Sequence, residues 1–197
     1  MLYYLGGFLQ QYFGPARLLQ SYTVLITLAL YSSFFLVNKL LPKFYNVLPQ
    51  DRGREFTISA EAAKGKPTGS GIVFITIFAI MCVLFVPMGL LQYGILLLTW
   101  LTMLTGFLDD HSVTSWGEYK KGLLDLVIAI MIAVTYLNYN SNTITIAITG
   151  DKITIHPVVF GILVVILVWA SINVTNCTDG VDGLSGTLAI ITLISIY

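Results

Sequence analysis

Apolar residues run along the chain in long stretches that shorter polar segments separate. A helix needs about 20 apolar residues to cross the hydrocarbon core of a membrane. The pattern therefore predicts five transmembrane helices, over about 21–41, 70–87, 89–107, 122–138 and 157–175. A sixth apolar run begins near Gly183 and reaches Tyr197, which gives a helix of only about 22 Å, too short to span.

These stretches predict an all-α polytopic membrane protein with five transmembrane helices and the start of a sixth. We expect a single transmembrane domain over residues 1–197 that is truncated in its sixth helix. Between the fourth and fifth helices, residues 141–156 alternate threonine and isoleucine around "TGDK". A period of two with a turn at its centre predicts a small β-hairpin.

The composition supports the membrane assignment and excludes other classes. Hydrophobic residues make up 56% of the chain and charged residues 10%, against about 25% charged in an ordinary soluble domain. The formal net charge is zero, so bulk charge indicates no nucleic-acid partner. The two cysteines, Cys82 and Cys177, match no metal-site or disulfide spacing.

Lysine and arginine placement predicts the orientation. The loop after the first helix and the loop after the third hold most of them, namely Lys43, Arg52, Arg54, Lys64, Lys66, Lys120 and Lys121. The opposite side holds only Arg17 and Lys152. Because basic loops stay in the cytoplasm, we expect these two loops inside, with the N-terminus and the β-hairpin outside.

Three polar segments then fall on the cytoplasmic side. They are the PTG segment (residues 62–71, "AAKGKPTGSG"), the acidic pair (Asp109 and Asp110) and the Asn-Asp segment (residues 173–186, "NVTNCTDGVDGLSG"). The acidic pair follows the third helix, whose C-terminal end disfavours negative charge. A divalent metal or Lys120 and Lys121 would compensate, and a solvated acidic pair beside the membrane is the alternative.

The Asn-Asp segment has the features of a ligand site. Asn173 and Asn176 lie one helical turn apart on one face, and polar side chains at membrane depth require a partner, a cavity or a ligand. Asp179 and Asp182 follow, with Gly180 between them. The N-terminus of the next helix suits a phosphate. The alternative is that Asp182 is an ordinary helix N-cap.

In the PTG segment, Lys64 and Lys66 offer charge to a pyrophosphate and Thr68 offers a hydroxyl. The spacing is not that of a phosphate-binding Walker loop, and a glycine-rich helix start is the alternative. His111 is a candidate ligand or proton carrier, although a single interfacial histidine is more often incidental. Together, these carboxylates, lysines and helix N-termini suit a phosphorylated substrate that is held through Mg²⁺. A site at the membrane boundary also suits one water-soluble substrate and one lipid substrate.

The motifs "GKPTGSG", "GFLDD" and "NVTNCTDGVDGLSG" resemble those of the polyprenyl-phosphate sugar-1-phosphate transferases. The resemblance covers nearly the whole chain and implies a single transferase domain with a Mg²⁺ cofactor. In the muramoyl-pentapeptide branch, which the Pro-Thr-Gly pattern favours, undecaprenyl phosphate attacks the β-phosphate of UDP-N-acetylmuramoyl-pentapeptide. UMP then leaves, and the first lipid intermediate of peptidoglycan synthesis forms.

The resemblance also implies residue roles. Asp109 and Asp110 would belong to the catalytic centre and serve as tentative metal ligands, with Asp109 a candidate base toward the lipid phosphate. Nucleotide and pyrophosphate would contact Asn173, Asn176, Asp179, Gly180 and Asp182, and Lys121 would contact phosphate. A bacterial cytoplasmic membrane with the active site facing the cytoplasm is implied. The oligomeric state stays open, and a homodimer is one alternative.

The chain departs from the family pattern in three places. No lysine follows the acidic pair closely, and Lys66 stands where threonine is usual. A third catalytic Asp, expected as a further metal ligand, and a later histidine cluster would lie beyond Tyr197. We therefore expect the 197-residue chain to be inactive alone. The alternatives are transfer from UDP-N-acetylglucosamine, a non-catalytic membrane scaffold, and a transporter. The polar residues lie at one membrane boundary, which argues against a transporter because transporters bind their substrates near the bilayer midplane.

Overall fold

Seven α-helices, one 3₁₀ helix and a two-stranded sheet make up the described part of the chain. A computed structural model describes residues 1–50, 65–112, 114, 116–178 and 183–196, with the backbone alone for 177 and 178. The elements are α1 (Leu2–Leu9), a 3₁₀ helix (Gly14–Gln20), α2 (Tyr22–Phe44), α3 (Gly71–Phe85), α4 (Leu90–His111), α5 (Glu118–Tyr139), β1 (Thr143–Thr145), β2 (Lys152–Thr154), α6 (Pro157–Thr178) and α7 (Leu184–Ile196). They form two units, Met1–Trp116 and Gly117–Tyr197.

Four helices are long and apolar enough to cross a membrane: Tyr22–Phe44, Leu90–His111, Glu118–Tyr139 and Pro157–Asn176. They correspond to the first, third, fourth and fifth predicted spans. Most of their apolar side chains are exposed, as expected for helices that contact lipid rather than water. The mostly helical prediction is confirmed, whereas the number of spans and their orientation stay predictions.

The second predicted span forms a shorter helix than its apolar run. Helix α3 has 15 residues and ends at Phe85, because Val86 is extended before Pro87 and a residue that precedes proline disfavours the helical conformation. Its buried positions, Val73, Ile77, Met81 and Phe85, recur every fourth residue. With Leu25 of α2 they form the core of the first unit.

The N-terminal segment folds into two short helices that the apolar pattern did not predict. Helix α1 packs on the 3₁₀ helix at Gly6, where an added Cβ would lie 2.7 Å from Leu19 Cβ and 3.0 Å from the Ala16 carbonyl oxygen. At the neighbouring Gly7, an added Cβ would meet only the Gln20 side-chain amide, at 2.8 Å. The close contact between the two helices therefore requires glycine at position 6, whereas it does not require glycine at position 7.

Gly6→Ala is expected to lower the melting temperature of the purified protein by several degrees, since overpacking costs about 1–3 kcal/mol. Gly7→Ala is the matched control. Its clash is relieved by rotating the flexible Gln20 side chain, and alanine gains up to about 1 kcal/mol over glycine inside a helix. Equal melting temperatures for the two variants would contradict the close packing at Gly6.

The predicted β-hairpin is present in the second unit. Strands β1 and β2 pair antiparallel, with Thr143 opposite Thr154, Ile144 opposite Ile153 and Thr145 opposite Lys152. The amide of Ile146 donates to the Asp151 carbonyl at 2.9 Å and closes the turn. The two-residue periodicity thus identified the strands correctly, and the side of the membrane on which the hairpin lies stays a prediction.

Candidate active site

The acidic pair lies in the last turn of α4, which continues to His111 and not to 107 as predicted. Asp109 is half-buried and Asp110 is exposed. The Asp109 carboxylate accepts a hydrogen bond from the Trp116 amide at 2.7 Å. The chain after the helix therefore turns back over Asp109, which fixes the orientation of this carboxylate.

Ser112 ends helix α4 beside the acidic pair. Its amide donates to the carbonyl oxygens of Leu108 and Asp109, each at 3.1 Å. Its hydroxyl lies 2.7 Å from the Asp109 carbonyl oxygen and 2.6 Å from that of Thr114. The bonds to Leu108 and Asp109 satisfy carbonyl groups that a helix C-terminus leaves without partners, so the turn that bears the acidic pair is capped.

The described part of the PTG segment folds against the chain that leaves α2. Thr68 donates its amide to the Pro49 carbonyl at 2.7 Å and its hydroxyl to the same oxygen at 3.1 Å. Gln50 pairs with Pro67 in an isolated antiparallel bridge. In this arrangement the Thr68 hydroxyl stabilises the loop, and its predicted role toward a pyrophosphate stays a prediction.

Gly69 brings the PTG segment to the acidic end of α4. Its φ is +66°, and an added Cβ would lie 3.1 Å from the Phe107 ring and 3.2 Å from Pro49 Cγ. Phe107 precedes Asp109 by two residues and stacks on His111 with ring centroids 5.8 Å apart. Two of the three predicted polar segments are therefore neighbours within the first unit. Lys66 lies exposed in the same loop, and Lys64 is outside the described residues.

In the second unit, Trp169 joins the turns that carry Lys121 and Asn173. Its indole N–H donates to the Gly122 carbonyl at 2.9 Å, and its own carbonyl accepts from the side-chain Nδ2 of Asn173 at 2.8 Å. Lys121 and Asn173 are both half-buried, whereas Asn176 is exposed. Asp179, Gly180 and Asp182 lie outside the described residues. Helix α7 begins directly after Gly183, whose φ is +81°.

The donor chemistry of the acidic pair fits Mg²⁺. Two adjacent carboxylates supply the hard oxygen ligands that this ion prefers, and it is commonly bound by one or two carboxylates together with substrate phosphates. Within the described ranges, no group of three or more His, Cys, Asp or Glu side chains could hold a metal ion. The assignment of Asp109 and Asp110 as metal ligands stays a prediction.

Sequence reasoning missed the residues that position the predicted ones. Phe107 and Pro49 place the PTG segment, and Trp169 links α5 to α6. The sequence gives only a weak signal for these three residues, since each is an apolar residue among other apolar residues. No role is predicted for Asp125, an acid within the fourth predicted span, although an intramembrane acid is a strong signal of function.

The sequence model of Glycosyl transferase family 4 matches residues 92–197. The chain is 45% identical over 192 residues to the phospho-N-acetylmuramoyl-pentapeptide-transferase of Treponema pallidum (strain Nichols), covering 96% of this chain and 53% of the relative. Relatives of the same name from Rippkaea orientalis and Helicobacter pylori (strain HPAG1) are similar too. The first is 31% identical over 130 residues, which is 62% of this chain and 35% of the relative. The second is 29% identical over 202 residues, which is 91% and 55%. The chain spans about half the length of the Treponema relative.

Proposed function

The chain belongs to glycosyl transferase family 4, and on that premise we propose that the protein containing it transfers phospho-N-acetylmuramoyl-pentapeptide from UDP to undecaprenyl phosphate. UMP is released, and the first lipid intermediate of peptidoglycan synthesis forms. The protein lies in the cytoplasmic membrane of a bacterium, with this site facing the cytoplasm. The identity of 45% over 192 residues to relatives that carry the transferase name supports the proposal.

One structural observation carries the proposal. The PTG segment packs, through Gly69 and Phe107, beside the turn of α4 that bears Asp109 and Asp110. A loop with a lysine and two glycines of positive φ thus lies beside the helix turn that bears two carboxylates. Phosphoryl transfer requires such a combination, because it depends on positioning and on neutralising charge rather than on covalent chemistry by the protein.

The reaction can be written with these residues. An oxygen of the lipid phosphate attacks the β-phosphorus of the UDP-sugar, a new P–O–P linkage forms, and the bond from β-phosphorus to the bridging oxygen of UMP breaks. Asp109, held by the Trp116 amide, accepts the proton that the lipid phosphate carries. Lys66 and Lys121 attract the pyrophosphate, and Asn173 and Asn176 bind the nucleotide through hydrogen bonds together with Asp179, Gly180 and Asp182.

Asp109 and Asp110 would hold Mg²⁺, which would supply positive charge against the negative charge of the pyrophosphate. The protein residues orient the two substrates. The Asp109 carboxylate and the substrate phosphates are both anionic, so a lysine of the PTG segment, Lys66, offsets part of their repulsion.

The full-length gene product, purified in nanodiscs with undecaprenyl phosphate and Mg²⁺, is expected to release UMP with UDP-N-acetylmuramoyl-pentapeptide and not with UDP-N-acetylglucosamine. UMP is quantified by chromatography, and the lipid product by mass spectrometry. Release with UDP-N-acetylglucosamine alone would assign the other branch. Absence of UMP with either nucleotide would contradict the transferase proposal and favour a non-catalytic scaffold.

A further inference from the structure

Helices α3 and α4 are joined by a hydrogen bond between two side chains that have no role in the proposed reaction. The indole N–H of Trp100 on α4 donates to the hydroxyl oxygen of Thr76 on α3 at 3.1 Å. Both side chains are half-buried, and α4 has the length and composition of a membrane span. Hydrogen bonds of this kind help membrane helices to associate. The bond therefore links the two helices at one specific pair of positions.

This bond has the same register as the contact that brings the PTG segment to the acidic end of α4. Gly69 precedes Thr76 by seven residues, and Phe107 follows Trp100 by seven residues. Seven residues make about two helical turns, so residues with this spacing lie on one face of a helix, about 10.5 Å apart. The Thr76–Trp100 bond and the Gly69–Phe107 contact therefore belong to one antiparallel alignment of α3 and α4.

Regular backbone structure connects the two pairs on both sides. Trp100 and Phe107 lie in the same helix, α4. Gly69 lies just before α3, and its carbonyl oxygen accepts a hydrogen bond from the amide of Ile72, in the first turn of that helix, at 3.2 Å. If α3 slid or rotated against α4, Gly69 would move relative to Phe107. The PTG segment would then move relative to the acidic pair.

We propose that Thr76 and Trp100 are positioning residues, whose hydrogen bond fixes the alignment of α3 and α4 and thereby holds the PTG segment beside the acidic pair. The inference rests on the proposed function, in which Lys66 of that segment attracts the pyrophosphate. It goes further by assigning a role to two side chains that lie about two helical turns from the contact they position. A misplacement of about 1 Å can slow a reaction by on the order of 10²-fold, so a distant bond can matter for the rate.

The first test follows the Phe107 ring without any turnover. In the full-length protein, para-fluorophenylalanine in place of Phe107 gives a fluorine NMR signal that reports the surroundings of this ring. Thr76→Val keeps the shape of the side chain but removes the hydrogen-bond acceptor, and Trp100→Phe removes the donor. Each variant is expected to move the signal by more than its linewidth. A signal that stays in place in both variants would overturn the proposal.

Two controls accompany these variants. Thr76→Ser keeps the hydroxyl and should leave the fluorine signal at the wild-type position. Thr102→Val removes another half-buried hydroxyl, which donates within α4 to the Leu98 carbonyl at 2.9 Å, and it should also leave the signal in place. If Thr102→Val moved the signal as far as Thr76→Val, any lost hydroxyl would have this effect, and the proposal would fail.

The second test measures what the bond does for the reaction. Thr76→Val is expected to lower kcat/KM for UMP release about three- to tenfold, as a displacement well below 1 Å would. Thr76→Ser should keep kcat/KM near the wild-type value. Trp100→Phe should cause a loss similar to that of Thr76→Val. The double variant should be no worse than the more damaging single variant, because both substitutions remove the same bond.

A third comparison introduces Thr76→Val into the Gly69→Ala protein, in which the contact with Phe107 is already disturbed. If the bond acts through that contact, the second substitution should lower kcat/KM by less than about twofold more. A bond that only stabilises the protein would reduce activity by the same factor in both backgrounds, and this result would refute the positioning role. If Trp100→Phe does not fold, the variants of Thr76 still decide the question. A wild-type protein that releases no UMP would refute the proposed function, whereas the fluorine signal would still show whether the bond positions Phe107.

Discussion

Asp109→Asn is expected to lower the rate of UMP release by about 10²- to 10⁴-fold, the usual contribution of a positioned base. The substitution is well matched to the structure. Asparagine keeps the oxygen that accepts the Trp116 amide at 2.7 Å, so the turn after α4 should persist. It removes the negative charge and the capacity to accept a proton. The measurement is initial rate at saturating substrates, together with the melting temperature.

Two further variants test whether the loss of activity comes from the chemistry of Asp109 or from a loss of stability. Asp109→Ala also removes the acceptor for Trp116, so its melting temperature should fall below that of Asp109→Asn, because an unsatisfied amide costs about 1–3 kcal/mol. Asp151→Asn removes an exposed carboxylate from the hairpin turn and should leave the rate unchanged. An Asp109→Asn protein that keeps at least a third of wild-type activity would contradict the assignment of Asp109.

Gly69→Ala is expected to lower kcat/KM by about 10- to 100-fold, because it introduces both backbone strain and a steric clash. A left-handed conformation costs about 1–2 kcal/mol for a residue with a Cβ. The added Cβ would also press on Phe107 at 3.1 Å and on Pro49 at 3.2 Å. Displacing the PTG segment by even a fraction of an ångström changes the position of Lys66 relative to the acidic pair.

The same loop supplies its own controls. Gly65 has a φ of +87° but open space around it, and Gly71 has open space and an ordinary φ. Gly65→Ala therefore tests backbone strain alone and should lower kcat/KM a few-fold. Gly71→Ala introduces neither strain nor a clash and should retain full activity. If Gly65→Ala and Gly69→Ala are equally active, the contact with Phe107 does not position the segment. The measurements are kcat/KM for UMP release and melting temperature for each variant.

The residues proposed for the candidate site can be found from the sequence. The acidic pair, the PTG segment and the Asn-Asp segment were identified as polar clusters at the ends of apolar runs, since burying such groups in lipid is costly. The position of Asp109 at the C-terminal end of a helix was predicted correctly. The helix nevertheless extends to His111, because Ser112 caps it beyond the apolar run.

From the sequence one can predict which residues lie in membrane-length helices, where the hairpin forms and which polar residues are available for chemistry. These features follow from composition and period along the chain, and they need no knowledge of neighbours. Only the folded structure shows that Gly69 docks on Phe107, that Trp169 joins α5 to α6, and that Asp125 is buried. Each of these depends on which faces of separate helices pack together. In an apolar helix nearly every face can contact either lipid or protein, so the pattern of hydrophobic residues does not show which face packs on a neighbouring helix.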